Sequence, residues 1–292
     1  MSNSIYYYLN FTGIFILMGW SVYIVYRNGQ LDNMPVATMA AGAYLCAYLT
    51  KDLSLPFYLA LIASMGIGAL YAFIPALGLG RAPAFSTTIA TIAMVYITMT
   101  VLRNLHFVGG VYGYYGIPRV KGLLFINYAM VIIVGFFVYR LDHSRIGRAM
   151  EVIFIDKDLG TSLGINTYWL SVWLQVCAGI IGAIAGVLYA NTMRMLVPRH
   201  FSFGVLLNIY CFLFVGGTST MWGILIVAPV LWGFPVILPE QIAAWKDFIY
   251  GMLLICSMLF WPEGLITKKF LRNVREFIRN SFLKLTARKA IP

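Results

Sequence analysis

The sequence predicts an all-α fold: a polytopic transmembrane helix bundle of about nine spanning or re-entrant helices, with one further helical segment outside the membrane. Three observations predict it. Of 292 residues, 61% are hydrophobic and only 11% are charged, against roughly 25% charged in an average soluble domain. So few charges cannot cover a water-soluble surface of this size. The apolar residues come in runs close to the about twenty that carry a helix across a hydrocarbon layer about 30 Å thick. The basic residues collect in short stretches between runs and, above all, after the last run, which is the pattern of the positive-inside rule.

Taken in order, the segments are 6–26, 34–49, 54–75, 84–105, 122–140, 167–191, 204–216, 221–238 and 246–261. The first has no Lys or Arg ahead of it and so lacks the charged start of a signal peptide. The second is short and is entered by Pro35; the seventh is short and is closed by Gly216-Gly217. Short or Pro/Gly-interrupted segments often mark broken or re-entrant helices. In the sixth, GIIGAIAG sets Gly179, Gly182 and Gly186 near one face. Glycines let helix backbones approach closely in lipid, and packing within the chain is preferred here to a dimer seam.

The link between the fifth and sixth segments is unusually long. RIGRAMEVIFIDKDLGTSLGIN, Arg145 to Asn166, is polar and helix-prone. Arg145 and Arg148 stand one helical turn apart, and Asp156 and Asp158 follow. Gly164 is placed to end a helix, and Asn166 to cap the next span. Taken alone, the stretch reads first as an amphipathic helix that anchors its loop, and second as a docking surface.

Eight of the 21 Lys and Arg lie after the ninth segment, from Lys268 to Lys289, which places the C-terminus in the cytoplasm. Counting back puts 140–166, 75–83 with Arg81 and 27–33 with Arg27 on the same side, and the N-terminus outside. The 106–121 loop, with Arg119 and Lys121, then falls outside against the rule. In the tail, 267–292, apolar residues from Phe270 to Leu285 recur at helical spacing opposite basic ones. It reads as an amphipathic helix on the inner leaflet, binding membrane lipid, or as a frayed anchor.

Several classes are excluded. The net charge of +11 does not point to nucleic acid, because no soluble module remains to carry it. Cys46, Cys177, Cys211 and Cys256 lie singly in apolar runs, and His106, His143 and His200 have no ligand spacing, so no metal site is expected. GxxxxGK[ST], HExxH and GxSxG are absent, as is any clustered catalytic trio. The chain is not expected to be an enzyme or to hold a cofactor. Ionisable residues are nearly absent inside the spans, which argues against a proton- or sodium-coupled carrier.

RIGRA followed by LGIN resembles the cytoplasmic coupling region of the membrane permeases of branched-chain amino acid ABC importers, at Arg145, Gly147, Arg148, Ala149, Leu163, Gly164, Ile165 and Asn166. GGVYGYYGIP resembles that family's external loop, at Gly109, Gly110, Gly113, Gly116, Ile117 and Pro118. AGAY at 41–44, GVLYA at 186–190, VGGTSTMWG at 215–223, LPE at 238–240 and PEGL at 262–265 fall in the family's order. Departures occur where the family has LSLGH and this chain has LDNMP, Leu31 to Pro35, and at Val152, Phe154, Ile155, Lys157, Asn208 and Ser219.

The resemblance implies a permease domain, 1–266, in a multi-pass bacterial inner-membrane protein, with a coupling segment, 142–166, that includes Asp156 and Asp158. It implies a second homologous permease, two cytoplasmic ATPase subunits holding ATP and Mg, and an external solute-binding protein. The cargo implied is a small polar or amphipathic solute, such as a branched-chain amino acid, an amide or urea. An ion-coupled secondary transporter and a passive channel are the alternatives. Candidates for the path are Met39, Gly42 and Tyr44 of the second segment, Thr88 and Thr91 of the fourth, and Asn208 of the seventh. Each threonine has the alternative of bonding its own helix backbone, whereas Asn208 is costly to bury unpaired. The loop with Gly110, Gly113, Gly116 and Pro118 is a candidate contact for the binding protein, or a glycine-rich turn between spans.

Overall fold

The computed structural model describes residues 3–237, 245–260 and 264–265. The expected tail helix, 267–292, and the LPE motif, 238–240, lie outside them. In chain order the helices are α1 (Asn3–Tyr26), α2 (Met34–Lys51), α3 (Phe57–Leu79), α4 (Ala84–Asn104), α5 (Leu123–Asp142), α6 (Arg145–Ile155), α7 (Lys157–Ser162), α8 (Thr167–Met193), α9 (Phe203–Gly216), α10 (Met221–Ile237) and α11 (Lys246–Phe260). Two short strands, β1 (Tyr114–Tyr115) and β2 (Met195–Leu196), pair antiparallel.

Six of the described helices are long and apolar enough to cross a membrane: α1, α3, α4, α5, α8, and α9 together with the 3-10 turn Pro198–Phe201 before it. Helices α10 and α11 are apolar but shorter, and α2 has 18 residues. These correspond to the nine apolar segments of the sequence. Helices α1 and α8 form the centre. The Trp20 indole donates to the Met221 carbonyl at 3.0 Å, and Ser21 Oγ donates to the Ala178 carbonyl at 2.6 Å. Outside them, α3 and α5 turn Ile74 (71% exposed), Phe125 (81%) and Ile132 (71%) outward, a surface that needs hydrocarbon around it.

The second segment is not broken. Helix α2 runs without interruption, because Pro35 falls in its first turn, where a missing N–H costs nothing. It lies in a bed of small residues. A Cβ on Gly186 of α8 would collide with the Met39 carbonyl oxygen, and one on Gly182 with Thr38. Gly179 meets α3 in the same way, against Ala72 and Gly68. The glycines of α8 thus pack within the chain.

The connections segregate to two ends. Residues of 27–30, 82–84 and 142–157 meet around shared cavities at one end, together with 219–222. At the other end, Lys51 Nζ lies 4.1 Å from the Tyr114 ring centroid, the Tyr114 hydroxyl donates to the Asp52 carboxylate, and Arg194 Nε donates to the Ile117 carbonyl at 3.2 Å. Burial and the Asp52 carboxylate hold the Tyr114 hydroxyl protonated, well above its ordinary range.

Candidate coupling segment and translocation path

Helix α6 begins where Ser144 Oγ accepts from the N–H groups of Ile146 (3.1 Å) and Gly147 (3.3 Å). A serine there satisfies donors that the first turn leaves orphaned. Gly147 is buried, and a Cβ on it would strike the Asp142 carbonyl oxygen. Glycine therefore lets α6 fold back tightly against the end of α5. The expectation of one helix from 145 to 166 is corrected: α6 stops at Ile155 and α7 starts at Lys157. Asp156 makes the break. Its backbone is extended, and its Oδ1 accepts from the N–H groups of Asp158 (2.8 Å) and Leu159 (3.3 Å). A side-chain acceptor that satisfies the first donors of a new helix competes with continuation of the old one. Gly164, at φ +78°, then closes α7: its N–H reaches the Thr161 carbonyl at 2.9 Å, and the Ile165 N–H reaches Gly160 at 3.1 Å. This is a Schellman closure, which uses glycine's freedom at positive φ. Asn166 Oδ1 accepts from the Trp169 N–H at 3.2 Å and starts α8.

The outer surface of this segment mixes charge with apolar area. Arg145, Arg148, Asp156 and Asp158 are exposed, and so are Ile155 (80%), Leu163 (64%) and Leu159. Ala149 and Ile165 are half-buried, whereas Met150 and Ile153 turn inward.

The inward side rests on residues 27–33, a stretch of irregular backbone in which Arg27, Asn28, Gln30, Asp32 and Asn33 are all buried. Each of these, Asp32 apart, is tied to a different place. Arg27 pairs with Glu151 of α6 at 3.3 Å. Asn28 donates to Ser171 of α8 at 2.8 Å, and Gln30 meets Gln175 of α8 at 3.1 Å. Asn33 contacts Thr91 of α4 through its N–H (3.1 Å) and its side-chain amide (3.2 Å), and its Oδ1 accepts from Tyr210 of α9 at 2.7 Å. The Tyr26 ring packs between Phe154 of α6 (5.7 Å, tilted) and Phe214 of α9 (5.4 Å, edge-to-face). Motion of α6 is therefore connected mechanically to α2, α4, α8 and α9.

The path candidates separate. Thr88 and Thr91 belong to this polar seam. Thr88 Oγ1 lies 2.9 Å from both the Ala84 and the Leu31 carbonyls, and Thr91 Oγ1 bonds the Thr88 carbonyl while also receiving Asn33. Each threonine thus bonds its own helix and a neighbouring segment together. Thr88 also lines a cavity of 440 Å³ with Tyr26, Gln30, Leu31, Phe85 and Phe154. Met39 and Gly42 are buried against α8, and Tyr44 is buried with its hydroxyl unpartnered among the described residues. Asn208 is half-buried on α9, and its Oδ1 has no partner among them. In the outer loop, Gly110, Gly113 and Gly116 adopt positive φ as turn residues, and Gly113 packs beneath Leu196. Pro118 is exposed, as are Val111 and Tyr112 (89%). Sequence reasoning missed the seam centred on Asp32 and Asn33. Its one trace was the departure LDNMP.

The description "Branched-chain amino acid transport system / permease component" matches residues 4–258. The chain belongs to that family. The autoinducer 2 import system permease protein LsrC of Escherichia coli (strain SMS-3-5 / SECEC) is 23% identical over 275 residues, 90% of this chain and 79% of that protein. The high-affinity branched-chain amino acid transport system permease protein LivM of Salmonella typhimurium is 22% identical over 151 residues, 51% of this chain and 35% of that one. PsaBC from Streptococcus pneumoniae in complex with Fab shares the fold at a TM-score of 0.50 and 12% identity, over 92% of this chain and 94% of that one. This member of the branched-chain permease family is a multi-pass helical membrane protein of the ABC-importer type. Like its relatives, it is a transport component.

Proposed function

We propose that the chain is one of two related transmembrane subunits of an ATP-driven importer, with α6 and α7 seated on a cytoplasmic ATPase. One observation supports this reading above the others. The two short helices present charge and apolar area outward, are capped at each end, and are tied through Arg27–Glu151 and Phe154–Tyr26 to a buried seam reaching four spanning helices. Caps keep a lever from fraying, and the seam transmits its movement. Driving the bundle from mostly one state to mostly the other takes about 5.5 kcal/mol of differential binding. ATP and Mg, held in the ATPase subunits, would supply it.

In this reading the end bearing α6 is cytoplasmic, the N-terminus and the 109–118 loop are external, and an external binding protein delivers the cargo. The cargo is a small polar or amphipathic solute, a branched-chain amino acid or a related amide or urea. A cargo of the kind the Escherichia coli relative is named for is the competing reading of the substrate. Ion-coupled transport has Asp32 in its favour, since such carriers keep carboxylates within the bundle.

The test replaces Arg148 with Glu and Gly164 with Val in the full chain. Either change should sharply lower the amount of ATPase subunit that co-purifies from native membranes, together with solute-stimulated hydrolysis. Undiminished retention and turnover would remove the docking role. Uptake that survives ATP depletion but collapses with the ion gradient would replace this function with ion coupling.

A further inference from the structure

Asp32 is fully buried, and its neighbours explain everything about it except one oxygen. Oδ1 accepts from the Met34 N–H at 2.8 Å, at the N-terminus of α2. Asn33, next in the chain, is saturated by Thr88, Thr91 and Tyr210, so the backbone at Asp32 is held rigidly. Oδ2 has no hydrogen-bond partner among the described residues, and no described cation pairs with the carboxylate.

The depth of this atom matters. Tyr210 sits six residues inside the end of α9 and Thr91 seven inside the start of α4, about 10 Å in at 1.5 Å per residue. Irregular backbone at such depth is tolerated where it is buried in protein or lines a cavity. Here both hold: Gln30, Leu31 and Thr88 wall a 440 Å³ cavity, and Asp32, the next residue after Leu31, is itself buried and not part of the cavity wall. An ionisable side chain in the bundle interior is expensive and calls for a partner. The α2 N-terminus supplies only part of one, because a helix end offers a fraction of a charge.

We propose that Asp32 is the counter-ion of the cargo, its free Oδ2 accepting an N–H from the cationic amine of a solute that enters at the cavity walled by the preceding residue, Leu31. This rests on the permease reading above and adds a chemical requirement to it: the cargo carries a protonated nitrogen. The seam then receives the cargo at the same stretch of chain that α6 grips through Arg27, so occupancy and motor share one element.

The experiment uses the complex purified from native membranes and placed in lipid nanodiscs, with three probes. These are L-leucine, isopentylamine, which keeps the amine and lacks the acid, and 4-methylpentanoate, which keeps the acid and lacks the amine. Leucine and isopentylamine should raise the melting temperature, and 4-methylpentanoate should not. Asp32→Asn should weaken the response to both amines roughly thirtyfold, the loss expected when one member of a buried charge pair is removed. Asp32→Glu, which keeps the charge, should retain the response in weakened form. Absence of an amine response in the unmodified complex, an equal response to the acid, or an undiminished response in both variants would each overturn the proposal. ATPase retention in the same samples is read independently: its loss in the unmodified complex sinks the permease reading, and its persistence leaves that reading standing when the amine site fails.

Discussion

Gly186 has the least room of the glycines at the centre of the bundle. It faces the Met39 carbonyl oxygen and the Ala43 nitrogen of α2, so a side chain there meets backbone on the neighbouring helix. Backbone cannot swing aside as the end of a flexible side chain does, and overpacking of a tight core costs about 1–3 kcal/mol, occasionally more. Gly186→Val is expected to sit at the upper end of that range and to lower the melting temperature of the purified protein in detergent. Gly66→Val, on α3 where an added Cβ meets nothing, is the control and should change it little. An equal loss for both would show that the α2–α8 contact is not where the bundle is tight. Asp32 makes the opposite point. Its burial destabilises rather than stabilises the fold, and such residues persist where function needs them.

At the scale of elements, the break between α6 and α7 is the feature most open to test. Asp156 ends one helix and caps the next through a single carboxylate oxygen, and removing a capping side chain costs about 1 kcal/mol. Asp156→Ala should fray α7, leave the spanning helices intact and reduce co-purified ATPase. Asp156→Asn, which still offers the acceptor, should restore it. Failure of Asn to rescue would assign Asp156 a role through its charge and not through the cap. The signals for this segment are local and therefore legible: Ser144, Gly147, Gly164 and Asn166 each do what their residue type does in any chain. The break was not read: an aspartate within a helical stretch can cap its own new turn, but Asp156 reads as part of an acidic pair unless its position is weighed against continuation. Segments 6–26 to 246–261 were legible because length and apolarity are local as well. Burial of 27–33 was not. Its partners, Glu151, Ser171, Gln175, Thr91 and Tyr210, lie 55 or more residues away in the chain, and no local pattern announces them. Pro35 reads as an interruption for the same reason: whether a proline starts a helix or breaks it depends on where the preceding residues are buried.

For the molecule as a whole, the open physical question is which end faces the cytoplasm. The described loops do not decide it by charge. Arg27, Arg81, Arg140, Arg145, Arg148 and Lys157 lie toward the end bearing α6, and Lys51, Arg103, Arg119, Lys121, Arg194 and Arg199 toward the other. The asymmetry comes from the basic tail, Lys268 to Lys289, and the positive-inside rule counts basic residues within about 15–20 positions of a span. With the nine crossings expected from the sequence, the tail and the N-terminus would lie on opposite sides of the membrane. Both ends offer a reporter: Arg148 is exposed on α6, and Tyr112 stands out from the opposite loop. With Cys46, Cys177, Cys211 and Cys256 replaced by alanine or serine, Tyr112→Cys should react with a membrane-impermeant maleimide in intact spheroplasts. Arg148→Cys should react only after permeabilisation. Reversal of the two would put α6 outside, where no ATP-hydrolysing partner could reach it, and the lever would have nothing to act on. Labelling of both in intact cells would show that the two ends are not separated by the bilayer. Deleting residues 267–292 tests the cause in the same assay: if the tail sets orientation, Arg148→Cys becomes partly reactive from outside, and if it does not, the pattern is unchanged and α6 is held inside by its docked partner or by the order of insertion.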